Sequence, residues 1–108
     1  MERNILSMLK IFQIDPNKDI NRVAFLPYNW IKEFDFSIYN EIWSGDEPDG
    51  CDDLDGVYEV FNLYHPEDFR GHSLSVSDIV QIIGSDEGSN GFYYCDPIGW
   101  VKVDDEIK

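Results

Sequence analysis

The chain has 108 residues, of which 43% are hydrophobic and 15% aromatic, and its formal net charge is −14. This composition supplies enough apolar side chains for one packed core and argues against global disorder. We therefore expect a single domain spanning residues 1–108. Eight cationic residues against twenty-two anionic ones disfavour direct binding to nucleic acid or to anionic membranes, because both need an excess of Lys and Arg.

The sequence also bears on the cellular compartment. No apolar run approaches the roughly 20 residues that cross a bilayer. The first residues, MERNILSMLK, lack the long apolar stretch and the small-residue cleavage site of a secretory signal. Cys51 and Cys95 are too few and too far apart for a disulfide framework. We therefore expect a cytoplasmic protein with two free thiols.

The first half of the chain predicts a hairpin, a short helix and a further strand. Residues Lys10–Ile14 alternate like a strand, a DPNKD turn follows, and Arg22–Leu26 alternates again. Pro27 ends this second strand because it cannot donate a ladder hydrogen bond. A helix is predicted for Asn29–Phe34, and a strand for Ser37–Ser44.

The second half predicts one helix and the rest of a sheet. After the polar loop GDEPDGCDDLDG, apolar residues recur at helical spacing over Asp53–Leu63, and Asp52 or Asp53 is the expected N-cap. Three strands follow, at Asp78–Ile83, Gly91–Cys95 and Trp100–Val103. The predicted fold is α+β: a single, largely antiparallel sheet of about five strands with two helices packed on a face.

Several segments together resemble a known family. HPEDFRGHSLSVSDIV (residues 65–80) and GFYYCDPIGWVKV (91–103) closely resemble the YodL-like domain, and KIFQI, RVAFLPYNWI, IYNEIWSG and LDGVYEVFN resemble it in the same order upstream. The resemblance spans about Lys10 to Val103. The resemblance implies where such domains are found. Similar domains occur alone or in multidomain proteins of conjugative elements and phages of Firmicutes-type bacteria, beside helicase, methylase or antirestriction-like modules. The resemblance implies no reaction and carries over no catalytic residues.

The segment from residue 70 to residue 78 is the first candidate binding site. Arg70 is the only Lys or Arg between Glu33 and Val101, among sixteen acidic residues. We expect Arg70 to pair with a carboxylate such as Asp68, Asp78 or Asp96, and the alternative is an anion-binding arginine assisted by nearby serines. The candidate residues are Arg70, His72, Ser73, Ser75, Ser77 and Asp78, with Tyr94 and Asp96 from the neighbouring strand.

Two further expectations concern the serines and the glycine of this segment. Ser73, Ser75 and Ser77 share one face if the chain is extended, but a local turn at Ser77-Asp78 fits both residue types better. Gly71 is expected where a side chain would obstruct a close approach or a backbone conformation.

The second candidate site is an acidic loop that would bind a protein partner, formed by Asp46, Glu47, Asp49, Asp52, Asp53 and Asp55. Neither possible EF-hand frame in this loop places acidic residues at the first and last ligand positions. The two cysteines and two histidines include no closely spaced zinc-ligand pair, and Cys95 with His72 matches no catalytic signature. We therefore predict no metal, no cofactor and no catalytic residue.

Three functions remain open. The favoured one is a non-catalytic protein-interaction module, from a mobile genetic element or phage, that binds a protein with a basic surface. A second is a mimic of nucleic acid that inhibits a host defence nuclease. A third is a small-ligand or enzymatic domain centred on residues 70–78, which requires the candidate side chains to converge in a pocket.

Overall fold

The fold is seen in a computed structural model that describes residues 8–46, 54–63, 66–84 and 90–104. Its regular elements are β1 (Met8–Ile14), β2 (Tyr39–Asp46), α1 (Leu54–Leu63), β3 (Ile79–Ile83), β4 (Gly91–Cys95) and β5 (Trp100–Lys102). Two short 3-10 turns, Tyr28–Trp30 and Phe36–Ile38, lie between β1 and β2. No helix in the described ranges has the length and hydrophobicity of a membrane span.

The five strands form one open sheet in the order β2-β1-β3-β4-β5, and every neighbouring pair is antiparallel. This confirms the predicted antiparallel sheet and the α+β class. β1 pairs along both of its edges, with β2 and with β3. Ile11 faces Trp43 while Phe12 faces Glu41, so β2 carries one extra residue, Ile42, as a bulge.

One face of the sheet is covered by α1. Leu9 and Ile11 point to this face, and so does Val80, which pairs with Ile11. Helical spacing brings Val57 and Phe61 of α1 onto the same side, where both are almost fully buried. Burial of each such side chain stabilises the folded state by roughly 1.5–3 kcal/mol. The rest of this core comes from Trp43, Val60, Phe69 and Leu74.

The opposite face is covered by an aromatic connection, residues 28–38, which is the second part of the segment between β1 and β2. Phe12, Ile79 and Tyr94 point to this face and are buried. The Phe12 and Phe36 ring centroids lie 5.1 Å apart, edge to face, and those of Tyr28 and Tyr94 lie 5.2 Å apart. The sheet is therefore buried on both sides, by a helix on one and by aromatic rings on the other.

The prediction of two helices on one face is therefore wrong. In place of the helix predicted at Asn29–Phe34, the chain makes the single 3-10 turn Tyr28–Trp30 and is extended again at Ile31, with φ −89° and ψ 120°. Asn29 does not cap it, since this turn has no side-chain cap. So short a segment gains little from helix formation alone, and contacts between its aromatic rings and the sheet decide its conformation instead.

The strand predicted at Arg22–Leu26, and its hairpin with β1, are also wrong. Arg22 and Phe25 have positive φ angles, 55° and 70°, which interrupt an extended chain. The Asp19 carboxylate accepts the amide hydrogens of Val23 and Ala24, which a ladder would otherwise use. In addition, β1 has no free edge, because β2 and β3 occupy both.

The other element predictions hold within a few residues. β2 occupies Tyr39–Asp46 where a strand was predicted at Ser37–Ser44, and α1 begins at Leu54. The predicted caps Asp52 and Asp53 lie outside the described residues. β3, β4 and β5 coincide with the three predicted strands of the last third.

Candidate functional site

Asp78 is a carboxyl residue buried in the protein interior, with 1% of its surface exposed. It closes a turn in which its amide donates to the Ser75 carbonyl over 3.0 Å. The Ser75 amide in turn donates to Oδ2 of Asp78 over 2.8 Å. Ser77, the third residue of this turn, has φ 85°, as in turns that usually carry glycine there. The predicted local turn at Ser77-Asp78 is confirmed, and it holds the carboxyl at the start of β3.

Gln13 of β1 completes the surroundings of that carboxyl. It is 3% exposed, and its amide nitrogen Nε2 donates to Asp78 Oδ2 over 3.0 Å and to the His72 carbonyl over 2.8 Å. These two bonds use both amide hydrogens. A Cβ atom on Gly71 would collide with Gln13 Oε1 and would lie 2.6 Å from Ile42 Cγ2. The close approach predicted for Gly71 is therefore confirmed, and it is an approach to the Gln13 amide.

His72 lies at the surface beside this network. Its Nδ1 is 2.7 Å from the Ser73 carbonyl oxygen, so Nδ1 carries a hydrogen and donates it. The 3.3 Å contact between Nδ1 and Gln13 Nε2 joins two donors and is not a hydrogen bond. In the neutral ring Nε2 is therefore an acceptor. The ring also lies near Phe25, with centroids 6.0 Å apart.

These residues border a cleft of about 530 Å³, which we call the Asp78 cleft. Its polar lining includes Gln13, His72 and Asp78, and its apolar lining includes Ile14 and Phe25. Both hydrogen bonds to the Asp78 carboxyl end on Oδ2, and Oδ1 accepts none from the described residues. No side-chain oxygen in the described ranges is both fully buried and unpaired. Asp78 lines the cleft with the 1% of its surface that is exposed, so the cleft is the side from which a ligand would approach Oδ1.

Burial also sets the protonation of this carboxyl. It raises the pKa of Asp78 to about 7, against smaller opposing effects of the Ser75 amide, His72 and Gln13. Near neutral pH the carboxyl therefore exists in both its protonated and its ionised form. Such a group can accept a hydrogen bond from a bound donor, pair with a cation, or give up a proton.

The rim of the cleft carries further charges. Asp19 Oδ1 and Oδ2 accept the Val23 and Ala24 amides, so this carboxylate holds the local turn. Hydrogen bonds from the Asn17 amide and then from the Asn40 side chain lower the pKa of Asp15, which keeps it ionised near neutral pH. Arg22 also lines the cleft and pairs with no carboxylate among the described residues. The cleft is therefore lined by two carboxylates, Asp15 and Asp19, and by the one guanidinium of Arg22.

Three of the predicted binding residues hold the chain between residues 25 and 28 onto the sheet. Ser77, 2% exposed, accepts the Phe25 amide on its Oγ over 2.9 Å. The fully buried Tyr94 donates its hydroxyl to the Leu26 carbonyl over 2.6 Å. Asp96 Oδ1 accepts the Tyr28 amide over 2.8 Å. Tyr94 and Asp96 therefore do not line the Asp78 cleft, while Ser77 both anchors this chain and lines the cleft.

The other candidate residues of segment 70–78 are exposed or form hydrogen bonds only with nearby residues. Arg70 does not form the predicted ion pair with a described carboxylate. Its guanidinium is exposed and donates to the Glu67 carbonyl over 2.8 Å, because a turn from Pro66 buries Phe69 and leaves Arg70 pointing outward. The Ser73 side chain is exposed, and Ser75 Oγ donates to the Ser73 carbonyl.

The acidic loop is described only at its ends. Asp46 ends β2 and Asp55 lies in the first turn of α1, and both are exposed. Asp55 and Asp96 also line a groove of about 260 Å³ with Tyr58 and Trp100. Glu47, Asp49, Asp52 and Asp53 lie outside the described residues.

Burial of Cys95 determines the reactivity of its thiol, and the placement of possible ligands bears on metal binding. Cys95 is 3% exposed, and burial, with smaller effects of Asp78 and Asp96, raises the pKa of its thiol to about 12. The reactive thiolate is therefore strongly disfavoured near neutral pH. Within the described ranges, no group of three or more His, Cys, Asp or Glu side chains is placed to hold a metal ion.

Sequence reasoning missed Gln13 and Asp19. Gln13 lies on the same strand face as Leu9 and Ile11, and a polar side chain on a core face needs a buried partner. That position was the signal that could have identified Gln13. Asp19 carried no such signal, because an aspartate in a DPNKD run is ordinary turn chemistry.

Comparison with known proteins places the chain in a family. The sequence profile of the YodL-like domain matches residues 8–105, which includes every strand, the helix and all residues of the Asp78 cleft. No curated protein and no solved structure matches the chain. The chain belongs to the YodL-like domain family.

Proposed function

We propose that this domain is a non-catalytic protein-interaction module that binds a protein with a basic surface, without contacting nucleic acid or membrane directly. The observation that carries the proposal is the excess of exposed carboxylates over cations among the described residues. Among the described residues only Glu41 and Asp104 lie within ion-pair distance of a cation, 3.4 Å from Lys10 and 3.6 Å from Lys102. The unneutralised acids produce a field that attracts and orients a cationic surface.

The exposed side of α1 illustrates this surface. Asp55 and Glu59 are one helical turn apart and exposed, and α1 contains no Lys or Arg. Tyr58 lies between them and is 43% exposed. Next to this side, the groove that Asp55 forms with Asp96 and Trp100 combines carboxylates with aromatic rings. Both groups bind Lys and Arg side chains, through charge-assisted hydrogen bonds and cation–π contacts.

A non-catalytic role is supported by how the chemically capable groups are used. The hydroxyl of Tyr94, the carboxylate of Asp96 and the hydroxyl of Ser77 bind backbone groups of residues 25–28, and burial suppresses ionisation of the Cys95 thiol. We further propose a cytoplasmic location, which the free thiol of Cys95 supports. The resemblance to domains of conjugative elements and phages supports an origin in a mobile genetic element or phage.

The alternatives receive less support. A mimic of nucleic acid needs phosphate-like charges along one surface, whereas described acids lie on both sides of the sheet, with Glu33 and Asp35 in the aromatic connection and Asp55 and Glu59 on α1. The small-ligand alternative is supported by the Asp78 cleft, because three of the candidate residues for that function line it: His72, Ser77 and Asp78.

Affinity capture from the source bacterium tests the proposal. The immobilised domain should retain a basic protein, and the yield should fall with added salt. Glu59→Gln should weaken retention more than Glu33→Gln, which makes the same chemical change on the opposite side of the sheet. Absence of any saturable partner would contradict the proposal, as would retention that responds neither to salt nor to these charges. Tight binding of a bare oligonucleotide would also contradict it.

A further inference from the structure

The Asp78 cleft ends in a carboxyl oxygen that lacks a donor from the described residues. Asp78 is almost wholly removed from solvent, and a buried carboxyl is unfavourable unless its oxygens are hydrogen-bonded. Gln13 and Ser75 both donate to Oδ2, which leaves Oδ1 to the cleft. The site is therefore built to receive a hydrogen-bond donor.

The walls of the cleft specify the rest of that ligand. Ile14, Pro16 and Ile42 contribute apolar surface, and Phe25, 61% exposed, borders the cleft as well. The volume of about 530 Å³ admits a long side chain. A ligand that fits has an apolar stem for these walls and a polar head for Asp78. Arginine and lysine combine a stem and a head of this kind.

Charge and ring geometry favour the guanidinium head. The carboxylates of Asp15 and Asp19 outnumber the single cation Arg22 at the rim, so an anionic head is disfavoured. Guanidinium is less strongly hydrated than ammonium, offers a planar set of donors, and stacks on aromatic faces such as that of Phe25.

We infer that the Asp78 cleft is a receptor for an arginine side chain of the basic partner, with the guanidinium donating to Asp78 Oδ1 and the methylene groups lying on the apolar walls. This inference rests on the proposed function and deepens it, because it assigns the partner's anchoring residue. Buried anchors of this kind supply much of the affinity of a protein interface.

The test uses the full chain and three small probes above neutral pH, where the Asp78 carboxyl is ionised. N-acetyl-arginine methylamide should bind saturably and shift the NMR signals of the Gln13 and His72 side chains. The neutral analogue N-acetyl-citrulline methylamide should bind at least about tenfold more weakly, since it cannot form the charge-assisted bond. The lysine derivative should also bind more weakly. Equal binding of the arginine and citrulline probes would overturn the inference, as would signal shifts confined to other surfaces.

Variants separate the cleft from the fold. Asp78→Asn should abolish the preference for arginine over citrulline. Phe25→Ala, which changes an exposed ring and leaves the buried network intact, should weaken arginine binding several-fold. Glu33→Gln, which removes an exposed carboxylate that does not line the cleft, is the matched negative control and should leave the probe affinity unchanged. If Phe25→Ala has no effect on arginine binding, the inference fails even if Asp78→Asn does not fold.

The two proposals fail in different ways. Retention of a basic partner that depends on Glu59 but not on Asp78 or Phe25 would uphold the proposed function and overturn the inference. Arginine-probe binding in the cleft without any captured partner would overturn the proposed function and leave the cleft as a guanidinium site.

Discussion

Replacing Gln13 with leucine tests whether one buried amide organises the Asp78 cleft. Leucine is similar in size to glutamine but is apolar, so it removes the donors to Asp78 Oδ2 and to the His72 carbonyl. Asp78 Oδ2 then loses a partner in the buried interior, and the His72 carbonyl loses one in a partly buried place. We expect the domain to fold and to be less stable.

The magnitude follows from the two lost hydrogen bonds. An acceptor left without its partner inside a protein costs about 1–3 kcal/mol. Asp78 Oδ2 keeps the bond from Ser75, so its loss lies at the lower end of that range. Burial of the leucine methyl groups offsets about 1 kcal/mol. The free energy of unfolding should therefore fall by about 2 kcal/mol in total.

Urea denaturation, followed by tryptophan fluorescence, measures this change. The buried Trp43 should report loss of the core, and the slope of the transition should stay constant if the native fold is retained. Gln81→Leu is the matched control, because Gln81 lies half-buried on β3 and its side chain makes no hydrogen bond among the described residues. The control should change stability by less than about 0.5 kcal/mol. If Gln13→Leu and Gln81→Leu behave alike, the amide does not organise the site.

Four further predictions address the same region. Because burial raises the folded-state pKa of Asp78 to about 7, the folded protein binds a proton that the unfolded chain releases near its ordinary carboxyl pKa of about 4. The stability of the wild type relative to Asp78→Asn should therefore fall as the pH rises from about 4 to 7, and parallel stability curves would refute this. Gly71→Ala should lower the free energy of unfolding by about 1–3 kcal/mol, because the added methyl group displaces packed side chains, and an unchanged urea midpoint would contradict the close approach. Ser77→Ala should be less stable than Ser77→Gly by about 1 kcal/mol, since both lose the hydroxyl and only glycine accepts φ 85° without strain; the opposite order in thermal melts would count against this. In a Cys51→Ser background the Cys95 thiol should react with a thiol reagent only on unfolding, and rapid labelling of the native protein would disprove its burial.

Local patterns predicted the elements whose sequence and environment agree. The helical spacing of Leu54, Val57 and Phe61 identified α1, because one side of it packs on the sheet and the other faces solvent. The strands of the last third were also predicted from local sequence, because short runs of strand-forming residues are bounded there by Gly, Ser, Asp and Asn. The acidity of the surface also follows from composition alone.

Composition and periodicity by themselves determined an acidic α+β domain with most of the described strands and the helix α1. The course of the connection between β1 and β2 was decided only in three dimensions, because Arg22–Leu26 alternates like a strand while Asp19 and Ser77 bind the amides that pairing would need. The Asp78 cleft was decided in the same way. Gln13 and Asp78 are 65 residues apart in the chain, and only the pairing of β1 with β3 brings that amide and that carboxyl within 3.0 Å.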